Sequence, residues 1–155
     1  MEKYNGNVVS KVPNLAIYIP NFITEKEELE IVKHVNKAPL PKWTQLSHRR
    51  LQNWGGIPHI KGMIAEDIPT VQQLNLEFSF LLERRSLLIL QENLYHHYLH
   101  SIAERDTDVI SKSLITNLDL CGDQFIEGQT LKRDIRLSLT IRHVPKTTKL
   151  KLKIN

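Results

Sequence analysis

The sequence predicts an α+β domain built from short antiparallel strands with one amphipathic helix near the N-terminus. Three stretches carry that expectation. "DIRLSLTIRHV" (134–144) alternates apolar and polar residues strictly, and "EKEELEIVKHVNKA" (25–38) repeats apolar residues at helical spacing behind a capping signal. "FSFLLERRSLLILQENLYHHYLHSI" (78–102) strings apolar runs between short polar breaks. Period-two alternation marks half-buried strands, a period near 3.6 marks a helix, and consecutive strands joined by short turns pair antiparallel.

With 155 residues, 41% of them hydrophobic and 25% charged, the chain has the composition of one ordinary globular domain. No stretch approaches the roughly 18 apolar residues of a membrane span, so a soluble intracellular protein of cytoplasm and nucleus is expected. Cys121 is the sole cysteine, which excludes an internal disulfide and a cysteine-based zinc site. Any metal must therefore be held by histidine or carboxylate. The net charge of +4 permits nucleic-acid binding, and the tail "KTTKLKLKIN", with Lys146, Lys149, Lys151 and Lys153, reads equally as a solvated basic end.

Taken in order, Leu15–Ile19 reads as a strand stopped by Pro20. Thr24 and Glu27 form a capping box, with Glu25, Glu27 and Glu28 in the first turn of a helix that should bury Leu29, Val32 and Val35 and end before Pro39. "PKWTQLSHRRLQNWGGIPH" reads as two short strands about the turn "LSHR", followed by a loop. Residues 78–102 read as a strand, a tight turn at Glu83–Arg85, a strand Ser86–Leu90, a turn at Gln91–Asn93 and a third strand to about Ile102. Residues 104–132 read as a long polar loop with a marginal strand or helix at Asp108–Leu118. The alternating strand closes the fold.

Several residues could carry chemistry. Trp43 and Trp54 either pack a core or, beside His48, Arg49 and Arg50, stack on unpaired or extruded bases. His96, Tyr98 and His100 of "YHHYLH" share a face on a strand, whereas on a helix His96 and His100 become neighbours. In the alternating strand Ile135, Leu137, Leu139 and Ile141 lie on one parity, and Arg136, Ser138, Thr140 and Arg142 on the other. Arg136 and Arg142 stand about 20 Å apart in an extended chain, too far to grip one carboxylate together. A buried arginine binds a dicarboxylate bidentately. A histidine 36 residues upstream could supply one ligand of a non-haem iron, whose usual protein set is two histidines and one carboxylate.

"APLPKWTQLSHRRLQNWGGIPH", "LLERRSLLIL", "LHSI" and "RLSLTIRHVP" resemble, in collinear order over most of residues 14–146, the AlkB-like family of iron(II) and 2-oxoglutarate-dependent dioxygenases, within it the subgroup of the sixth vertebrate homologue. The KWTQLS…LQNWGG block and the terminal R-x5-R strand are the specific features. The resemblance implies a double-stranded β-helix, or jelly roll, occupying residues 14–145 between an N-terminal tail (1–13) and a basic C-terminal tail (146–155). It implies Fe(II) and 2-oxoglutarate as cofactors and oxidative dealkylation of nucleic-acid bases as the activity. His100 matches the distal iron-binding histidine, Arg136 the arginine that pairs with the far carboxylate of 2-oxoglutarate, and Arg142 the second arginine of the signature. The Trp43–Trp54 block, with Arg49 and Arg50, matches the outer segment of the nucleotide-recognition lid.

The family pattern also holds a His-x-Asp iron pair, a preceding glycine-rich turn and an Asn-x-Tyr strand, between the LQNWGG block and "LLERRSLLIL". Here that interval holds only "IKGMIAEDIPTVQQLNLEFSF", and none of the seven histidines begins a His-x-Asp or His-x-Glu. One histidine leaves iron with too few protein ligands, and His59, Glu66 or Asp67 would have to substitute. A jelly roll short of central strands leaves unpaired edges. The expectation is an incomplete jelly roll with no catalytic residue assigned and no oxygenase activity. The alternatives are a non-catalytic isoform that binds nucleic acid or protein, and an unstable truncated product.

Overall fold

The computed structural model describes residues 2–12, 16–45, 49–52, 78–96, 98 and 100–141. Its elements are β1 (Ala16–Ile19), α1 (Glu25–Lys37), β2 (Trp43–Gln45), β3 (Arg50–Gln52), β4 (Leu87–Leu90), α2 (Glu92–His96), β5 (Thr107–Val109) and β6 (Thr130–Lys132). Short 3-10 turns at Glu2–Asn7, Leu40–Lys42 and Leu118–Leu120 complete them. The strands form three separate antiparallel pairs, β1 with β4, β2 with β3 and β5 with β6.

Ala16, Ile17 and Tyr18 of β1 are buried, and β1 lies against β4 in the register Ala16–Leu90 to Ile19–Leu87. The core gathers Val9, Val12, Ala16, Tyr18 and Leu94, with Phe78, Phe80, Leu88, Leu90, Tyr98, Leu120 and Cys121 packed around it. Residues 2–12, expected as part of a tail, thus join the packed unit: Val8 bridges Ile17, Val9 N–H bonds Ala16 C=O at 2.9 Å, and Val9 and Val12 are core residues. Burying those two valines is what draws the segment onto β1.

Local signals are met. Thr24 caps α1 through the Glu27 N–H at 3.2 Å, and the Glu27 carboxylate returns to the Thr24 N–H at 2.8 Å. The turn after Glu83 places Arg85 at φ 64°, and β2 and β3 pair Trp43–Gln52 to Gln45–Arg50.

Five expectations are corrected. Helix α1 buries none of its residues: Leu29 is 66% exposed, Val32 is exposed and Val35 half-buried. It is held instead at its polar side, where Arg84 and Arg85 reach Glu28 and Glu25, with Arg84 Nε 2.5 Å from Glu28 Oε1. Residues 78–82 form no strand with Ser86–Leu90, because β4 is taken by β1; Ser79 makes a single parallel bridge to Ile115. Among the described residues no third strand runs to Ile102. Glu92, at φ 51°, opens the one-and-a-half-turn α2, which drives Leu94 into the core. Finally, 134–141 is unpaired, with Ile135 99% and Ile141 94% exposed, because no described strand lies alongside it. The polar stretch 104–132 holds more structure than a loop, since β5 and β6 close it.

Candidate functional site

The β2–β3 hairpin is fastened to the C-terminal end of α1. Gln52 Nε2 donates to Val35 C=O at 2.9 Å, Trp43 Nε1–H donates to Ala38 C=O at 3.3 Å, and Arg50 reaches Asn36 Oδ1 at 3.4 Å. The Arg50 guanidinium lies over the Trp43 ring, 4.2 Å from its centroid, a cation–π stack. Trp43 is half-buried beneath it, and Arg49 and Arg50 are exposed. Of the two readings of Trp43, the geometry is that of a ring against the hairpin's own arginine rather than a ring in the main core. Its covered face offers no direct seat for a base, but the guanidinium plane above it does. Trp54 and His48 lie outside the described residues.

His100 is exposed and follows α2, its Nε2 2.9 Å from the Leu94 carbonyl. A carbonyl oxygen only accepts, so Nε2 is the donor in that bond. Arg136 is exposed on the unpaired segment and donates to Ser138 Oγ at 3.2 Å, a bond to its own neighbour rather than into a pocket. Arg142, His59, Glu66, Asp67 and His97 lie outside the described residues. Among the described residues no three of His, Cys, Asp and Glu come together in a way that could hold a metal ion.

A polar network that the sequence did not signal sits beside the core. Tyr18 O–H donates to Glu83 Oε2 at 2.9 Å and accepts from Glu83 N–H at 3.1 Å. The other Glu83 oxygen accepts from Gly122 N–H at 3.2 Å and Gln124 Nε2 at 3.3 Å. Asn117, fully buried, bonds both backbone groups of Leu81. Burial raises the Tyr18 phenol above its ordinary range, and burial, then the Glu83 charge, pushes the Cys121 thiol up to about 12. These groups stay neutral and tie 117–124 to 81–83, which is a structural task. Nothing but a lone cysteine and an asparagine among apolar residues hinted at it.

No protein-family model matches the chain. Over 225 residues, covering 98% of this chain and 94% of the relative, it is 33% identical to the probable RNA/DNA demethylase ALKBH6 of Danio rerio. The chain belongs to the AlkB family. The match extends over 225 positions while this AlkB-family chain has 155 residues, so at least 70 positions have no residue of this chain opposite them. Membership implies a jelly-roll dioxygenase fold. The described residues hold three separate strand pairs rather than a complete double-stranded β-helix.

A non-haem iron of the kind such enzymes use takes two histidines and a carboxylate on one face. The described donors do not fit it. His100 commits Nε2 to the Leu94 carbonyl and has no partner ligand among the described residues.

Proposed function

We propose that this chain is a nucleic-acid-binding member of the AlkB family that does not itself carry out iron- and 2-oxoglutarate-dependent dealkylation. The observation that carries the binding half is the Trp43–Arg50 stack beside exposed Arg49, on a hairpin rigidly fastened to α1. A guanidinium held flat by an indole presents a stacking plane and a phosphate-binding charge at once, a combination suited to single-stranded or extruded bases. The curated relative is called a probable RNA/DNA demethylase, which agrees with that class of ligand. The catalytic half rests on the sequence: no His-x-Asp or His-x-Glu occurs, and the stretch Ile60–Phe80 is too short to hold the family's missing strands. Arg136 and Arg142 would then be half of a 2-oxoglutarate site without its iron.

Fluorescence anisotropy with a labelled single-stranded RNA or DNA of about ten nucleotides tests the first half. Trp43→Ala or Arg50→Ala should weaken binding about tenfold, as loss of a stacking platform does. Arg49→Ala should lower the salt slope by about one. Unchanged affinity in all three overturns the reading. Succinate formation from 2-oxoglutarate with added iron tests the second half: turnover that disappears in His100→Ala would refute it. A specific observation favours a third reading, an unstable product: Ile135 and Ile141 stand almost fully exposed on an unpaired segment. A cooperative thermal transition excludes it. Sequencing the transcript across Ile60–Phe80 shows whether a longer form encodes the His-x-Asp.

A further inference from the structure

We infer that a single strand bound at the Trp43–Arg50 stack continues along the last two turns of α1, where Lys33 and Lys37 hold its phosphates. The inference rests on the nucleic-acid reading above and carries it from the hairpin onto the helix. Its first support is the sign of the surface. Between Glu30 and Glu66 the sequence holds no aspartate or glutamate, while Lys33, Lys37, Lys42, Arg49 and Arg50 fall in the same span. The earlier carboxylates of α1 are engaged elsewhere: Glu27 closes the Thr24 cap, and Glu25 and Glu28 face Arg85 and Arg84. Lys33, Lys37 and Lys42 are exposed, and among the described residues none of them pairs with a carboxylate. A surface of one sign draws a polyanion.

The second support is continuity. Arg50 Nη2 donates to Asn36 Oδ1 at 3.4 Å, which sets the guanidinium that covers Trp43 against the exposed side of α1. Lys37 follows Asn36 in the chain, and Lys33 lies one turn before Lys37. An i, i+4 pair stands on one face of a helix about 6 Å apart along its axis, so the two ammonium groups form a row that starts beside Arg50. The guanidinium supplies the stacking plane, and the lysines supply point charges for phosphate.

The third support is how the end of the helix is closed. A helix C-terminus leaves carbonyls unpaired and carries partial negative charge, which repels phosphate. Here the hairpin takes up those carbonyls. Val35 C=O accepts from Gln52 Nε2 at 2.9 Å and from Ala38 N–H at 3.3 Å, and Ala38 C=O accepts from Trp43 Nε1–H at 3.3 Å. The two strands that hold the stack thus blunt the repulsion beside it. Glu30, three residues before Lys33, is the nearest carboxylate in sequence and opposes the two lysines.

Fluorescence anisotropy of the full chain with a labelled single-stranded DNA of about ten nucleotides, repeated over a salt series, tests the inference. Each phosphate contact of a single strand contributes about 0.7 to the slope of log affinity against log salt, so Lys33→Gln with Lys37→Gln should lower that slope by about 1.4. Trp43→Ala should weaken binding by the same factor with or without the lysine pair, since stack and track act separately. Glu30→Gln should strengthen binding, because it removes the opposing charge. Lys11→Gln with Lys112→Gln takes the same charge from exposed positions outside α1 and the hairpin and should lower the slope far less. Glutamine matches lysine in helix propensity, so α1 persists, and an unchanged circular dichroism spectrum verifies it. A parent protein that binds no single strand overturns the nucleic-acid reading and this inference together. A parent protein that binds, and that Trp43→Ala weakens, while the Lys33 and Lys37 pair leaves the slope unchanged, overturns this inference alone. So does an equal fall from the Lys11 and Lys112 pair, which marks diffuse attraction without a track.

Discussion

Replacing Asn117 by alanine should cost this small fold much of its stability, and the amount follows from what the side chain replaces. Asn117 Oδ1 accepts from Leu81 N–H at 2.9 Å and its Nδ2 donates to Leu81 C=O at 2.8 Å, the same two groups a neighbouring strand would engage. One step away, Thr116 N–H and Oγ1–H both reach Ser79 C=O at 2.9 Å beside the Ser79–Ile115 bridge. The buried asparagine therefore extends a ladder that is otherwise a single bridge long. Alanine removes two hydrogen bonds of about 1 kcal/mol each and leaves a partly buried N–H and C=O short of partners, for a total of about 2–4 kcal/mol. Against a typical total of about 5–15 kcal/mol, that is a large fraction.

Urea unfolding followed by tryptophan fluorescence reads the global loss, and hydrogen exchange at the Leu81 amide reads the local one. Asn117→Asp sharpens the test. An aspartate keeps the acceptor for Leu81 N–H but, when ionised, turns an oxygen toward Leu81 C=O in a buried site. Its folded pKa is raised, so its stability is present below the unfolded carboxylate value of about 3.9 and is lost as pH rises through the folded value. The aspartate variant should therefore approach the parent protein at acidic pH and fall behind at neutral pH. A loss below about 0.5 kcal/mol in the alanine variant, with Leu81 exchange unchanged, would refute the reasoning.

Three further outcomes are expected. Thr24→Ala should destabilise α1 by about 1 kcal/mol, seen as faster exchange of the Glu27 and Glu28 amides with β1 and β4 unaffected. Arg133, first through its hydrogen bonds, holds Asp108 below the ordinary carboxylate range, with Arg105 adding a contact at 2.8 Å. Stability from that depressed pKa is present above the unfolded value of about 3.9 and is lost as pH falls through the folded one, so β5–β6 amide protection should drop in acid and Asp108→Asn should flatten the profile. Cys121, pushed up to about 12, should react slowly with thiol reagents at pH 8. Its contribution is complete below the usual thiol value of about 8.5 and is lost as pH rises toward 12, so the alkaline loss of stability should shrink in Cys121→Ser.

What was legible in the sequence was what one segment decides by itself. Thr24 and Glu27 close a capping box within four residues, Pro20 ends β1, and the arms of the β2–β3 hairpin were visible as strands because their own residues favour extension. Partnership was not legible. Residues 78–82 and 86–90 look like the two arms of a hairpin, yet β4 pairs with β1 some seventy residues away, and the first arm is held by an asparagine side chain. No periodicity records that, because Asn117 contributes through two amide atoms rather than through a repeating face. The candidate residues divide along the same line: the proximity of Trp43 and Arg50 follows from a two-stranded hairpin, whereas His100 bonds the Leu94 carbonyl and Arg136 bonds Ser138, each to its own neighbourhood.

The helix and the last strand show why period is evidence of demand and not of supply. Leu29 and Val32 recur at helical spacing, and Ile135 to Ile141 alternate without a break, so both segments carry apolar faces suited to burial. In this chain both faces stand in solvent. The AlkB-family relative matches over 225 positions against 155 residues here, so at least 70 positions of the match have no residue of this chain opposite them. Exposed apolar faces of that kind are covered by another molecule or lead to aggregation. On helix α1 the Glu25 and Glu28 ties to Arg84 and Arg85 fasten the first turn and leave Leu29 and Val32 uncovered.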